Sequence, residues 1–204
     1  MNIHTKSILT SLARYFALAL LIALPTAIVM LDVLWLGNNI GEESLTEHMQ
    51  STVLLLIIST FIYIIAKHED KRPFTYLALG LFISMLFREH DYVLNNIVDN
   101  LWEVLVVLTV ITVTVLSRST NRPFKPAFAE FLSSSAGRTM VMSILILLVH
   151  SRLFGMGILW KTILNDSYVN TVKNAMEEGT ELLAYVLIFY ATQVYRRTLA
   201  TEKK

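Results

Sequence analysis

Apolar side chains occur in six long runs along the chain, and short polar or charged segments separate these runs. A helix needs about 20 predominantly apolar residues to cross the roughly 30 Å of hydrocarbon in a bilayer. Most of the runs approach that length, so the pattern predicts an all-α fold, a polytopic membrane helix bundle with six transmembrane helices. The predicted spans cover residues 15–36, 45–66, 74–87 with an extension to 91, 97–116, 139–158 and 178–195.

The first and third predicted spans depart from a simple apolar run. The first contains Pro25, and a kink there is tolerable because neighbouring helices can satisfy the freed backbone groups. Its apolar run continues to Leu36, beyond the about 7–15 residues of a signal-peptide core, so we interpret it as a retained helix. The third run is short and spans only if the charged residues 88–91 are included. A four-helix alternative with a re-entrant third segment would break the alternation of charged loops.

Charge is strongly segregated along the chain, although the formal net charge is only +1 from 17 basic and 16 acidic residues. In the six-span arrangement, thirteen basic and four acidic residues fall with the two termini and the loops at 67–73 and 117–138. The other side holds four basic and twelve acidic residues. Because Lys and Arg accumulate in cytoplasmic loops, this segregation predicts an N-in/C-in topology with an acidic outer side.

Two connecting segments predict interfacial helices rather than spans. Residues 123–138 are too short and too polar to cross a bilayer, but Phe124, Phe128 and Phe131 recur at helical spacing. Residues 159–176 mix apolar side chains such as Trp160 with Lys and Asn, which is typical of a surface helix covering the outer side of the bundle.

Composition agrees with a membrane protein and excludes several function classes. Of 204 residues, 54% are hydrophobic and 16% are charged, whereas about a quarter are charged in ordinary soluble domains. The chain has no cysteine, which excludes a disulfide framework and a thiolate metal site. No linker-like stretch or internal repeat divides the chain. We therefore expect a single integral membrane domain over residues 1–204, multi-pass in a bacterial-type plasma (inner) membrane.

Acidic residues and histidines also lie at membrane depth near the outer side, which the charge segregation does not explain. Ionisable residues inside spans are costly and usually face the bundle interior or a water-filled cavity. Counting about 1.5 Å per residue from the cytoplasmic end of each helix places several of them in one outer layer. They are Glu47, His48, Glu89, His90, Asp91, Glu103, His150 and Glu181.

Some of these acidic residues share a helix face with another acidic residue. Glu177 and Glu181 are four positions apart, so their like charges repel in an isolated helix. Something must oppose that repulsion: an arginine, a shared proton or a cation. We therefore assign Arg88, Arg152 and Glu103 to structural ion pairs.

Three histidines and several carboxylates in one layer match the ligands of zinc, manganese or iron. The sequence thus predicts a divalent metal ion, with zinc as the first candidate, and a metal-bound water as nucleophile. The predicted metal ligands are Glu47, His48, His90, His150 and Glu178, and the predicted catalytic residues are Glu89, Asp91 and Glu181. The spacings HExxH, HxxxH and ExxH are absent. Adjacent residues point roughly 100° apart on a helix, so at most one of Glu47 and His48 can face a common centre.

In residue types, His48, His90, Asp91, His150 and Ser151 resemble the set used by intramembrane metal hydrolases of the alkaline ceramidase kind. The paired HxxxH of those enzymes is missing here. The resulting hypothesis is a metal-dependent intramembrane hydrolase with a periplasm-facing site, acting on a lipid or lipid-linked substrate. Two alternatives stay open: a non-catalytic membrane sensor or partner subunit, and a cation or proton transporter. We expect membrane lipid as a partner, leave a homo-oligomer open, and expect no nucleic acid.

Overall fold

The computed structural model describes residues 3–37, 39–41 and 43–202, and in this part of the chain it contains no strand. Helix accounts for 88% of the structure, so the all-α prediction is confirmed. Among the charged residues counted above, Glu42, Lys203 and Lys204 lie outside the described residues. The α-helices are Ile3–Met30 (α1), Leu45–Lys67 (α2), Arg72–Glu89 (α3), Asp91–Asn95 (α4), Leu101–Ser119 (α5), Phe124–Ser133 (α6), Ser135–Leu145 (α7), Ser151–Phe154 (α8), Gly157–Leu164 (α9) and Asn170–Glu202 (α10).

Two stretches of π-helix and two of 3₁₀-helix complete the helical structure. The π-helix Leu31–Trp35 continues α1, and the π-helix Ile146–His150 joins α7 to α8. The 3₁₀ turn Glu69–Lys71 links α2 to α3, and the 3₁₀ turn Asn165–Ser167 follows α9. The π-helices matter for the site described below because each adds a wide turn that changes which side chains face inward.

Four of the described helical segments are long and apolar enough to cross a membrane, which supports a membrane protein. They are His4–Trp35, Leu45–Lys67, Leu101–Ser119 and Ser135–Phe154. The predicted third and sixth spans correspond to α3 and α10, which carry more charge and fall outside this set. Helix α3 contains Arg72, Arg88 and Glu89 within 18 residues. Whether the bundle has four or six spans therefore depends on how α3 and α10 are packed.

Helix α10 occupies the middle of the bundle and packs against α1, α2 and α7, while α3 packs between α2 and α5. Fully buried side chains from α2, α3 and α10 form the core, including Ile57, Phe61, Phe82 and Ile188. The rings of Phe61 and Phe82 stack with centroids 5.4 Å apart. In contrast, α1 and α5 expose most of their apolar side chains. The most polar long helices are thus enclosed by the most apolar ones, as expected where lipid surrounds the bundle.

Helix α6 forms where residues 123–138 predict an interfacial helix, and it ends at Ser133. Its apolar face packs on α3, where the rings of Phe131 and Phe74 lie 4.5 Å apart. The hydroxyl of Ser134 then accepts a hydrogen bond from the backbone N–H of Gly137 at 2.9 Å and caps α7. Residues 123–138 therefore contain a short helix followed by the start of a segment that is long and apolar enough to span a membrane.

The prediction of one interfacial helix over residues 159–176 is wrong. Helix α9 ends at Leu164, and Asn165 has a positive φ of 47°, which turns the chain before α10 begins. Helix α10 begins at Asn170, eight residues before the predicted sixth span. The sequence of this segment carries helical spacing on both sides of the break, which hides the turn between the two helices.

We call the two ends of the bundle the basic end, where α3 begins and α10 finishes, and the acidic end, where α3 finishes and α10 begins. At the basic end, the Nζ of buried Lys71 lies 2.5 and 2.6 Å from the carboxylate oxygens of Glu130. Burial lowers the pKa of Lys71, but the ion pair with Glu130 outweighs burial, and the pKa is raised above its ordinary value. This pair holds the α2–α3 turn against α6.

Candidate functional site

The acidic end contains a polar cavity of about 340 Å³ between α2, α3, α4, α8 and α10. Charged side chains line it throughout, namely Glu47, Arg88, Glu89, Asp91, Arg152, Glu178 and Glu181. We call this cavity the acidic pocket. The three predicted catalytic residues, Glu89, Asp91 and Glu181, are therefore brought together, although they come from different helices.

Arg88 forms the side of the acidic pocket contributed by α3. Its Nη2 lies 2.6 Å from Oε1 of Glu89 and 3.1 Å from Oε2 of Glu181 on α10. The hydroxyl of Tyr185, which is fully buried, donates a hydrogen bond to the same Glu89 oxygen at 2.7 Å. Hydrogen bonds to a charged carboxylate are stronger than those between neutral groups, so this set fixes α3 against α10.

Arg152, on α8, forms the opposite side. Its Nη2 lies 2.8 Å from Oε1 of Glu181, and its Nη1 lies 2.7 Å from Oε1 of Glu177. Lys173 approaches the other oxygen of Glu177 at 2.9 Å from one helical turn away. Glu181 thus presents one carboxylate oxygen to each arginine, and its side chain is only 3% exposed.

The π-helix Ile146–His150 determines which residue of α7 and α8 faces this network. It inserts a wide turn just before Ser151, which is fully buried, with its hydroxyl 3.3 Å from Oε1 of Glu181. That hydroxyl donates to the carbonyl of Leu147. Single π turns inside helices are frequent at functional sites. Here the turn directs Ser151 to Glu181, whereas the preceding residue, His150, points outward.

Glu178 lies on the α2 side of the pocket, where it contacts Gln50. The Nε2 of Gln50 donates to Oε2 of Glu178 at 3.0 Å and to its backbone carbonyl at 3.1 Å. The amide oxygen of Gln50 is buried without a hydrogen-bond partner among the described residues. Gln50 is not among the predicted site residues, although a glutamine three residues after Glu47 in a predicted span is a usable signal.

The structure does not bring the three predicted histidine ligands together. His48, His90 and His150 are all exposed and lie outside the acidic pocket. Their neighbours on the helix, Glu47 and Glu89, line the pocket instead, because adjacent residues point about 100° apart. Within the described residues, no group of three or more His, Asp or Glu side chains is arranged to hold a metal ion. The predicted zinc site is therefore unsupported, and two of the carboxylates that line the pocket, Glu89 and Glu181, pair with arginines.

The assignment of Glu103 to an ion pair also needs correction. Glu103 is exposed on the first turn of α5, away from the pocket lining, and takes part in none of the ion pairs among the described residues. Acidic residues are favoured in the first turn of a helix because they complement its dipole, and this explains its position.

Asp32 is a charged residue for which the sequence predicted no role. It is fully buried in the π-helix that continues α1. Its carboxylate accepts hydrogen bonds from the backbone N–H groups of Leu45 at 2.9 Å and Thr46 at 2.8 Å, and from the Thr46 hydroxyl at 2.5 Å. Asp32 therefore caps the beginning of α2 from another helix.

The acidic pocket carries five carboxylates and two guanidinium groups, a formal charge of −3. Both arginines are already held by Glu89, Glu177 and Glu181. A cavity lined by one excess sign of charge attracts ions of the opposite sign. The fold and the site together define a class, an all-helical membrane-type bundle with an acidic pocket at one end. The chain matches no protein-family model, no curated protein and no solved structure.

Proposed function

We propose that the protein is a non-catalytic, ligand-binding membrane protein of the sensor or subunit type, whose acidic pocket takes up a small organic cation. In this proposal α3 and α10 join the four apolar helices as spans of a six-span, N-in/C-in bundle in a bacterial inner membrane. The acidic pocket then opens on the outer side. Ion pairs between α3, α8 and α10 support this topology because they supply the partners that ionisable groups need at membrane depth.

The observation that carries the proposal is the excess of carboxylates over arginines in a cavity of about 340 Å³. Ligand pockets for small molecules typically start at about 300 Å³, whereas one water occupies about 30 Å³. The cavity is therefore too large for a single dehydrated ion and suits a small organic amine. Glu47 and Asp91 both line the cavity, and Asp91 forms none of the ion pairs among the described residues.

Binding is favoured over conduction by the composition of the core below the pocket. Helices α2 and α10 meet there through fully buried apolar side chains, including Leu54, Ile57 and Ile188. A proton or cation path would need polar groups at this depth. The transporter and metal-dependent hydrolase hypotheses stay predictions, and elemental analysis of the purified protein tests the second of them.

Calorimetric titration of the full chain in detergent with spermidine tests the proposal. The double change Glu47→Gln and Asp91→Asn is expected to weaken spermidine binding about tenfold, since it removes two of the pocket charges. The matched control is the double change Asp99→Asn and Glu103→Gln, which also removes two acidic charges near the same end but outside the pocket. Equal loss in both variants, or no spermidine binding by the unaltered chain, would contradict the proposal.

A further inference from the structure

A second polar cavity lies at the basic end, far from the acidic pocket. It has a volume of about 430 Å³ and is enclosed by the first half of α1, the beginning of α7 and the last turns of α10. Its lining consists of Arg14, Ser135, Tyr190, Val194, Arg197, Thr198 and Thr201. We call it the basic pocket, and nothing in the proposed function uses it.

Among the side chains that the structure describes, the lining of the basic pocket carries positive charge and no negative charge. Arg14 and Arg197 are both exposed, and neither forms an ion pair among the described residues. In the part of the chain that the structure describes, no carboxylate lines the cavity, and several hydroxyl groups do. Two guanidinium groups facing one cavity form the arrangement that binds phosphate, because each planar fork can donate two parallel hydrogen bonds.

The basic pocket lies about one bilayer thickness from the acidic end. Arg14 precedes Trp35, the end of its helix, by 21 residues, which corresponds to about 30 Å at 1.5 Å per residue. The span Ser135–Phe154 has 20 residues and also measures about 30 Å, with Ser135 at the basic end. The hydrocarbon core of a bilayer is about 30 Å thick, so the two arginines lie at the depth of the lipid headgroups.

The wall of the basic pocket changes from charged to apolar toward the membrane interior. Val194 and Tyr190 lie four and eight residues before Thr198, so the three share one face of α10. The polar residues lie on the part of that face nearest the basic end, and Val194 and Tyr190 continue the face toward the membrane interior. A ligand that fills the cavity therefore meets guanidinium groups at one end and an apolar surface at the other.

We propose that the basic pocket binds the headgroup of an anionic phospholipid from the leaflet on the basic side. The phosphate accepts hydrogen bonds from Arg14 and Arg197, and the upper part of an acyl chain lies along Val194 and Tyr190. Basic cavities between membrane helices on the cytoplasmic side are known sites for anionic headgroups. The apolar wall selects a lipid over a free phosphate ion, which would leave that surface uncovered.

Native mass spectrometry of the full chain, titrated with phosphatidylglycerol or phosphatidylcholine, tests this site. The double variant Arg14→Gln and Arg197→Gln is expected to bind phosphatidylglycerol about tenfold or more weakly, and each single variant about fivefold more weakly. The charge-matched control is Arg118→Gln with Arg122→Gln, which removes two exposed arginines of the same end outside the pocket. A gel-filtration profile equal to that of the unaltered chain establishes that each variant is folded.

Selective loss in the pocket variants, with retained binding in the control and weaker binding of phosphatidylcholine, is the expected result. Equal loss in pocket and control variants would overturn the proposal, because it would mean non-specific attraction to the whole basic end. Displacement of phosphatidylglycerol by excess inorganic phosphate would also overturn it, since the occupant would then be a free anion.

Discussion

Glu181 is the side chain on which the acidic end depends most. Its two carboxylate oxygens face Arg88 and Arg152, and it is almost completely buried. Burying an ion costs several kcal/mol, and this cost is offset only when its partners are well placed. Removing the carboxylate would leave Arg88 with Glu89 and Arg152 with Glu177, so neither arginine would lose every partner. What would be lost is the one carboxylate that contacts both arginines, while Arg152–Glu177 and Tyr185–Glu89 still join α8 and α3 to α10.

Glu181→Gln is expected to lower the free energy of unfolding by about 1.5–3 kcal/mol, the range for losing hydrogen bonds to a charged group, because each arginine keeps a second carboxylate. Arg152 is 48% exposed, and solvent screening reduces its share of that loss. Thermal unfolding in detergent measures the effect. Glu103→Gln serves as the control and should change stability by no more than about 0.5 kcal/mol. A Glu181 variant as stable as this control would show that the network contributes nothing to folding.

At the scale of elements, the apolar runs predict several helices well and miss specific turns. The run at 45–66 matches helix α2, Leu45–Lys67, because a buried or lipid-facing helix needs continuous apolar residues. The orientation of side chains after residue 146 was not predictable, since a π turn leaves no apolar periodicity of its own. Ser151 consequently faces Glu181, and the predicted ligand His150 does not. The sequence predicted the carboxylates of the acidic pocket and the two arginines that pair with them. It did not predict the hydrogen bonds that Gln50, Ser151 and Tyr185 make to those carboxylates.

Close packing of α3 on α5 gives a test at the same scale. A Cβ atom at Gly80 would lie 2.5 Å from Cγ2 of Val113, so even alanine requires the Val113 side chain or the helices themselves to shift. Gly80→Ala is expected to cost about 1–3 kcal/mol of unfolding free energy through overpacking. Adding Val113→Ala removes the clashing methyl groups and should restore part of that loss. A double variant no more stable than Gly80→Ala would contradict this account of the interface.

At the scale of the whole molecule, the two ends of the bundle differ in charge, and the two most polar long helices are enclosed by apolar ones. In the six-span arrangement that we propose, Arg88 on α3 and Glu181 on α10 pair with each other, which lowers the cost of placing their charges at membrane depth. Charge segregation indicates the orientation from the sequence, but only packing explains how the third and sixth segments tolerate their charges. Hydropathy alone underestimates the ability of such helices to span a membrane, because it counts each charge without the partner that neutralises it.

The absence of cysteine from the sequence makes the topology directly testable with single introduced cysteines. In intact cells, Asp99→Cys is expected to react with a membrane-impermeant maleimide, whereas Glu69→Cys and Asn121→Cys should react only after lysis. Residues 69 and 99 flank α3, so opposite reactivity at these two positions requires α3 to cross the membrane. Equal labelling of both would instead favour the re-entrant alternative.

The capping of α2 by Asp32 has a consequence for how the protein is made. The carboxylate reaches Leu45 and Thr46, only 13 and 14 residues further along the chain. The first two helices can therefore close into a hairpin once the beginning of α2 has left the ribosome, before α10 exists. Asp32→Asn would weaken this early contact between the first two helices. We therefore expect less protein to be inserted during synthesis, with little change in the protein that reaches its final fold.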